Sequence, residues 1–380
     1  MYVAVKGGQK AITEAHKLLE ETRRGDLSVP EISLAQIQNQ MGLAVDRVQA
    51  EGSLYAPKLA ALATKQAKGD LVEAIFLLRA ARASLKRFGY SEPIETASMR
   101  ARRRVSGTFK DIPGGQILGP TFDYTHRLLK RSLMDGGQAP PGGAPIPIAK
   151  GPGAQPGADG LGGELLGVAT ILEREGILET VGTAPEDGEP FDLTRQPLEV
   201  PLARPGRLQA LARADEGFLL ALAYSSQRGF GSVHPFVAEL KLGPVELGFR
   251  APELGMPITV GEIEVTECQT ANQFKGGAGK PPMFTRGYGL TFGHNERKAL
   301  SMAIVDRALR AGELGEAIKG PAQNPEFVLY HGDNVEASGF VSHIKLPHYV
   351  DFQAELSMLR AMRKKFNGSG GPPEPDDKDE

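Results

Sequence analysis

FTRGYGLTFGHNERKALSMAIVDRAL, residues 284–309, carries two periodicities in succession. From Phe284 to Phe292 apolar and polar residues alternate, with β-branched and aromatic types, which reads as a strand. After Asn295 and Glu296 the apolar residues Leu300, Ile304 and Leu309 recur at helical spacing. A strand that hands over to a helix places the chain in the α+β class.

Upstream, Val245–Phe249 and Ile258–Thr266 read as further strands, while Arg207–Arg213 and Glu216–Ser225 read as helices. Downstream, Phe327–Tyr330 and Phe340–Ile344 are expected as short strands and Phe352–Arg363 as a terminal helix. From Gln9 to Gly89 the pattern is helical throughout, enough for three or four packed helices. Ser33 with Gln36, and Asp70 with Glu73, have the spacing of capping boxes, and Gly52 and Gly89 the placement of helix stops. A loop rich in Gly and Pro, Lys110–Asp123, is expected to enter a helix over Tyr124–Leu133, and a short helix is expected over Leu165–Glu175. Sixteen of the thirty residues from Asp135 to Glu164 are Gly or Pro, a composition that buries too little surface to offset its ordering entropy. The expected organisation is therefore a mainly helical region at 1–134, a flexible Gly/Pro-rich insertion and linker at 135–205, an α+β region at 206–366 and a disordered acidic tail at 367–380.

Composition narrows the function. Hydrophobic residues at 41 % and charged residues at 24 % are ordinary for a globular protein. Forty-four basic against 46 acidic residues give a net charge of −2, so no global field draws nucleic acid or anionic lipid, and any anion site is local. A lone cysteine, Cys268, excludes an internal disulfide and an all-cysteine iron–sulfur cluster. With no apolar run long enough to span a bilayer and no basic-then-apolar leader, the expected location is cytoplasmic.

Four arginines between Arg100 and Arg104 are either a solvated face or a contact for phosphate or an acidic partner. His343 and His348 are either structural histidines or a metal pair. Five residues place two side chains roughly 140° apart on a helix, so convergence needs a turn, which Pro347 offers. His331 and Asp333 lie close by in sequence as further ligands. Asp123 and His126, three apart, suit acid–base chemistry on one helix face, or serve as an N-cap and a half-buried ring. Arg228 and Arg286 each precede glycines that permit close backbone approach, an arrangement shared by phosphate sites and ordinary turns. Gly276–Pro281 only imitates a P-loop, because Phe274 stands at the first glycine's place and Pro281 at the hydroxyl's. Residues alone stop at an α+β protein of open function.

Seven collinear blocks go further. MYVAVKGGQKAI (1–12), DLVEAIFLLRAAR (70–82), KDIPGGQILGPTFDYTHRLL (110–129), DEGFLLALAYSSQRGFG (215–231), TRGYGLTFG (285–293), NERKALSMAIVDRAL (295–309) and DNVEASGFVSHIKLPHYVDFQAEL (333–356) resemble the I subunit family of the bacterial carbon–phosphorus lyase core complex. The likeness weakens between about 134 and 205. The resemblance implies a subunit that forms a central homodimer, binds the G, H and J subunits, and has ATP-binding-cassette-like K and L subunits as further partners. It implies displacement of adenine from C1′ of MgATP by methylphosphonate, giving α-D-ribose 1-methylphosphonate 5-triphosphate, and purine nucleosidase activity on ATP or GTP. It also implies a metal, zinc or a similar divalent ion, at His343 and His348. Within the matching blocks, Asp123 and His126 are the candidates for stabilising the sugar cation and protonating the base, and Lys110, Arg228 and Arg286 for the triphosphate. A non-catalytic, metal-binding scaffold subunit is the alternative.

Overall fold

The computed structural model describes residues 8–134, 166–180, 191–230, 234–251, 253–277 and 279–368. The first helices are α1 (Gln9–Arg24), α2 (Leu34–Gln40), α3 (Gly42–Gly52), α4 (Pro57–Gln66) and α5 (Leu71–Ser84). Strand β1 (Arg103–Val105) and helices α6 (Val168–Arg174), α7 (Arg204–Arg213) and α8 (Glu216–Gln227) follow. Then come β2 (Phe236–Arg250), β3 (Pro257–Phe274), β4 (Met283–Phe292) and α9 (Glu296–Leu309). The chain continues through α10 (Pro325–His331), α11 (Asn334–Ser342) and α12 (Tyr349–Gly368). It divides into a large unit, residues 26–335, and a terminal unit that joins residues 1–25 with 336–380.

In the large unit the four strands form one antiparallel sheet in the order β1-β2-β3-β4. Helix α9 lies against it, and Gly287 and Gly289 of β4 explain how closely. A Cβ at Gly287 would stand 1.9 Å from the Ala303 carbonyl oxygen, and one at Gly289 2.1 Å from that of Ala299. Only glycine admits such an approach. The backbone that these glycines accommodate is a helix, not a phosphate. On its other side α9 meets α7 and α8 through Leu211, Leu219, Met302, Val305 and Leu309, all buried. A second core, Ile37, Val48, Ala60, Ile75 and Leu78, unites α2 to α5, each large aliphatic side chain contributing about 1.5–3 kcal/mol. Ser33 and Gln36 close a full capping box, whereas Asp70 caps α5 by accepting from the amides of Val72 and Glu73 without the return bond from Glu73 that a box requires.

Several sequence expectations need correction. The strands around residues 236–274 are longer than expected, because charged residues that interrupt the apolar pattern, such as Glu239, Lys241 and Glu267, find partners inside the fold. Phe327–Tyr330 is helical within α10, where Asn324 caps the Phe327 amide and Pro325 occupies the first turn. Phe340–Ile344 likewise falls in the end of α11 and the 3₁₀ turn His343–Lys345. No α-helix spans Tyr124–Leu133: Arg127 adopts a left-handed conformation and only a 3₁₀ turn, Arg131–Leu133, forms. Helix α5 ends at Ser84 rather than near Gly89. The arginine run is not uniformly a solvated face either. Arg103 and Arg104 are buried in β1, because Asp123, Glu296 and Glu239 neutralise them there. The Gly/Pro-rich core of the insertion at 135–165, Gly231 and the tail at 369–380 lie outside the described residues.

The terminal unit contrasts with this. Helices α1 and α12 have no buried residue, and apolar side chains including Leu18, Phe352, Leu359 and Phe366 are each more than half exposed. No helix among the described residues is long and apolar enough to cross a membrane.

Candidate functional site

A cavity of about 720 Å³ opens in the large unit where distant parts of the chain converge. Helix α3 brings Leu43 and Arg47, the loop after β1 brings Phe122, Asp123 and Arg127, α8 brings Glu216, and the β4–α9 junction brings His294, Glu296 and Arg297. Its volume falls in the range of about 300–1,000 Å³ usual for small-molecule sites.

Asp123 is the one sequence-derived candidate on this wall, and the structure shows what holds it there. Arg103, buried in β1, pairs with the Asp123 carboxylate through one terminal nitrogen, while its other terminal nitrogen donates to the Leu118 carbonyl at 2.6 Å. Its Nε lies 2.6 Å from Glu296 Oε1, so one guanidinium sets two carboxylates on the cavity. Half of the Asp123 side chain remains exposed, which leaves it able to meet a ligand. His294 Nε2 lies 3.3 Å from the same Glu296 oxygen. Behind it, Asp46 accepts from the His294 amide at 2.9 Å, yet burial pushes the Asp46 carboxyl above the usual carboxylate range. Three cations face the opening. Arg47 bonds Glu51 and Asp215, Arg297 pairs with Glu216, and Arg127 has no carboxylate partner among the described residues; it donates to the Phe122 carbonyl, its guanidinium 6.0 Å from the Phe122 ring.

The wall is anchored from inside by Lys298, which is fully buried on α9. Its ammonium donates to the Ala214 carbonyl at 2.6 Å and lies 3.6 Å from Glu51 Oε1. Glu51 also accepts from Arg47, from the Glu216 amide at 3.1 Å and from Asn334 at 2.8 Å, so the start of α8 is tied to α3. Burial brings Lys298 down to about 8, opposed by the nearby carboxylates of Glu51 and Glu216.

The other candidates sit elsewhere. His126, Lys110 and Arg228 are exposed and none lines the cavity. Without a helix at Tyr124 the shared face expected for Asp123 and His126 does not exist. Arg286 is engaged by Glu173 at 2.6 Å on the sheet. Sequence reasoning missed His294 and Glu296 as site residues; the available signal was a His-Asn-Glu run at a strand–helix junction, a place where side chains are held firmly at the end of a sheet.

In the terminal unit, His343 and His348 do converge, with ring centroids 5.2 Å apart. Each Nδ1 is directed at a backbone carbonyl, Phe340 for His343 and, at 2.7 Å, Leu346 for His348. With Nδ1 donating, both Nε2 atoms are left as lone-pair donors, the tautomer a divalent metal requires. The pair therefore fits a metal but does not complete a ligand set: among the described residues no group of three His, Cys, Asp or Glu is suitably gathered. Of the neighbours in sequence, Asp333 is held by Arg79 and Arg213, and His331 donates from Nδ1 to the Phe327 carbonyl while stacking on the Phe327 ring.

Comparison with known proteins gives this arrangement its setting. The chain is 58 % identical over 369 residues to the α-D-ribose 1-methylphosphonate 5-triphosphate synthase subunit PhnI of Rhizobium meliloti (strain 1021), covering 97 % of this chain and 96 % of that one. It is 53 % identical to the subunit of the same name from Escherichia coli (strain K12), covering 97 % and 99 %. A Stutzerimonas stutzeri protein, HtxH, named provisionally as a C-P lyase subunit, is 44 % identical over 96 % of both chains. The bacterial phosphonate metabolism protein family (PhnI) matches residues 1–366, and the chain belongs to that family.

Proposed function

We propose that the large cavity is where a purine nucleoside triphosphate exchanges its base for a phosphonate. The products are α-D-ribose 1-methylphosphonate 5-triphosphate and adenine from MgATP and methylphosphonate. The observation that carries this reading is Asp123, half exposed on a cavity of nucleotide size and clamped by a buried arginine. The synthase names of the relatives supply the reaction class.

In that reaction the C1′–N9 bond breaks, its electron pair leaves with the purine, and a phosphonate oxygen bonds C1′. Positive charge builds on the sugar before the new bond is complete, so a carboxylate at fixed distance lowers the barrier. Asp123 is suited to that role. The departing purine needs a proton, and His294, steadied by Glu296, is better placed to give it than His126. Arg127, with Arg47 and Arg297, faces the same opening and suits the triphosphate better than Lys110, Arg228 or Arg286. Water in place of the phosphonate gives free base and a ribose triphosphate, the nucleosidase reaction on ATP or GTP.

His343 and His348 would hold a divalent transition metal, zinc being the ion best suited to two imidazoles. When bound it supplies Lewis acidity toward a phosphate or ribose oxygen. The exposed apolar faces of α1 and α12 suit a homodimer, and assembly with the G, H and J subunits, and with K and L subunits, completes the proposed complex. Incubating the purified chain, alone and with those partners, with MgATP and measuring adenine tests the reading. Release that is slowed by Asp123→Asn supports it. No release from the complete complex would leave the scaffold role in its place.

A further inference from the structure

The C-terminal end of α5 and the loop that follows it bring Arg79, Arg82 and Arg87 within electrostatic reach of one another, and none of the three lines the large cavity. The two flanking arginines each have a carboxylate. Arg79 donates to Asp333 at 2.6 Å, where Arg213 of α7 also pairs, and its second terminal nitrogen meets the Glu51 carbonyl at 2.7 Å. Arg87 pairs with Asp192 at 2.7 Å and lies over the Tyr90 ring, 4.8 Å from its centroid.

Arg82 has none. It stands three residues beyond Arg79, on the same face of α5. Asp192, the carboxylate that acts on it, is already engaged: one oxygen accepts from the Thr194 amide at 2.9 Å and the Thr194 hydroxyl at 2.6 Å, the other from Arg87. Arg82 is half-buried, with its Nε sealed inside the fold and unpartnered. Neither terminal nitrogen makes a hydrogen bond among the described residues, and neither is sealed as Nε is, so both face outward. Burial and the like charges of Arg79 and Arg87 lower its pKa against the pull of Asp192. A freely solvated arginine would swing away from two like charges, whereas the packing around Nε holds this guanidinium among them.

Beside it, Nε and Nη1 of Arg87 also have no hydrogen-bond partner among the described residues, because its bonds to Asp192 and Thr194 both leave from Nη2. Two planar forks with open N–H groups and one uncompensated positive charge match an anion with several acceptor oxygens.

We propose that Arg82 and Arg87 form a binding site for a phosphate-type oxyanion, inorganic phosphate or a small phosphonate, distinct from the nucleotide cavity. It does not depend on the reaction proposed for that cavity.

Thermal melting of the full chain at pH 8 tests this, in about 10 mM inorganic phosphate or methylphosphonate against sodium chloride of equal ionic strength. An oxyanion that binds only the folded chain is expected to raise the melting temperature by about 2–4 °C, and the larger of the two shifts identifies the oxyanion. In Arg82→Met the rise should vanish, while in chloride that variant should melt at or above wild type, because a half-buried charge without a partner has been removed. Arg82→Lys keeps the charge without the fork and should keep less than half of the rise. Arg127→Ala should keep most of it, which separates this site from the arginines of the large cavity. No rise in wild type, a rise retained in Arg82→Met, or one lost in Arg127→Ala would each overturn the proposal. So would an Arg82→Met variant that melts well below wild type in chloride, since Arg82 would then serve the fold's own charge balance.

Discussion

The large unit and the terminal unit handle their apolar and charged groups in opposite ways. In the large unit even charge is taken inside: Arg103, Arg104, Lys298, Glu51 and Asp306 are buried and each has a partner. In the terminal unit no described residue is buried, and Phe352, Leu359 and Phe366, seven residues apart, leave one stripe of α12 open. The first pattern is costly to assemble and rigid once assembled, as a site needs. The second suits a surface that another chain covers. A catalytic role fits the one region and an assembly role the other.

The sharpest test of the large unit's self-sufficiency is Gly287→Val. A side chain driven into the Ala303 carbonyl should cost more than about 3 kcal/mol and unfold much of the sample, which thermal melting would show. A melting point near wild type would mean that α9 is not pinned to the sheet.

Next in size is the pH response of Lys298. Its folded value, about 8, lies below the ordinary 10.5, so the unfolded chain binds more protons between those values. The penalty for a buried ammonium is fully present below pH 8 and relieved as pH rises toward 10.5. Wild type should therefore gain stability relative to Lys298→Met across that window, by about 3 kcal/mol. Parallel denaturation curves at pH 7 and pH 10 measure it; an unchanged difference would place the ammonium in contact with water.

Asp123→Asn should lower base release about a hundredfold with KM changed only a few-fold, because the charge it removes matters when the sugar becomes cationic. A rise in KM alone would reduce Asp123 to a binding group. The smallest stability effects are expected in the terminal unit. Leu359→Asp should shift the melting point of the isolated chain by no more than about 0.5 kcal/mol equivalent, while dissociating the proposed dimer in sedimentation. His343→Ala with His348→Ala should likewise spare stability and lower the metal content of the purified complex. Equal metal in both proteins would remove the pair from any metal site.

How far these regions could be read in advance depended on whether the deciding contacts were local. The β4–α9 succession was legible because alternation and helical spacing are properties of neighbours, as were the caps at Ser33 and Asp70. Val328 and Leu329 were misread as strand because a four-residue apolar run has no period of its own, and the Asn324-Pro325 start signal was passed over. The site was legible only at Asp123. Arg47, Glu216 and the His294/Glu296 pair lie far apart in the chain and become a group only once α9 is packed on the sheet. The fate of the arginine run was similarly decided by partners at residues 123, 239 and 296.

That the terminal unit joins residues 1–25 to residues 336–380 bears on the order of synthesis. Every segment of the large unit has been made once Val335 is added, whereas the terminal unit, opened by α1, is complete only after α12 has followed. At roughly 5–20 residues per second, that wait is about 15–60 s. Throughout it Ile12, Leu18 and Leu19 of α1 are exposed, and they remain exposed when the chain is complete. A nascent chain of this kind presents apolar surface to chaperones well before its last helix is made.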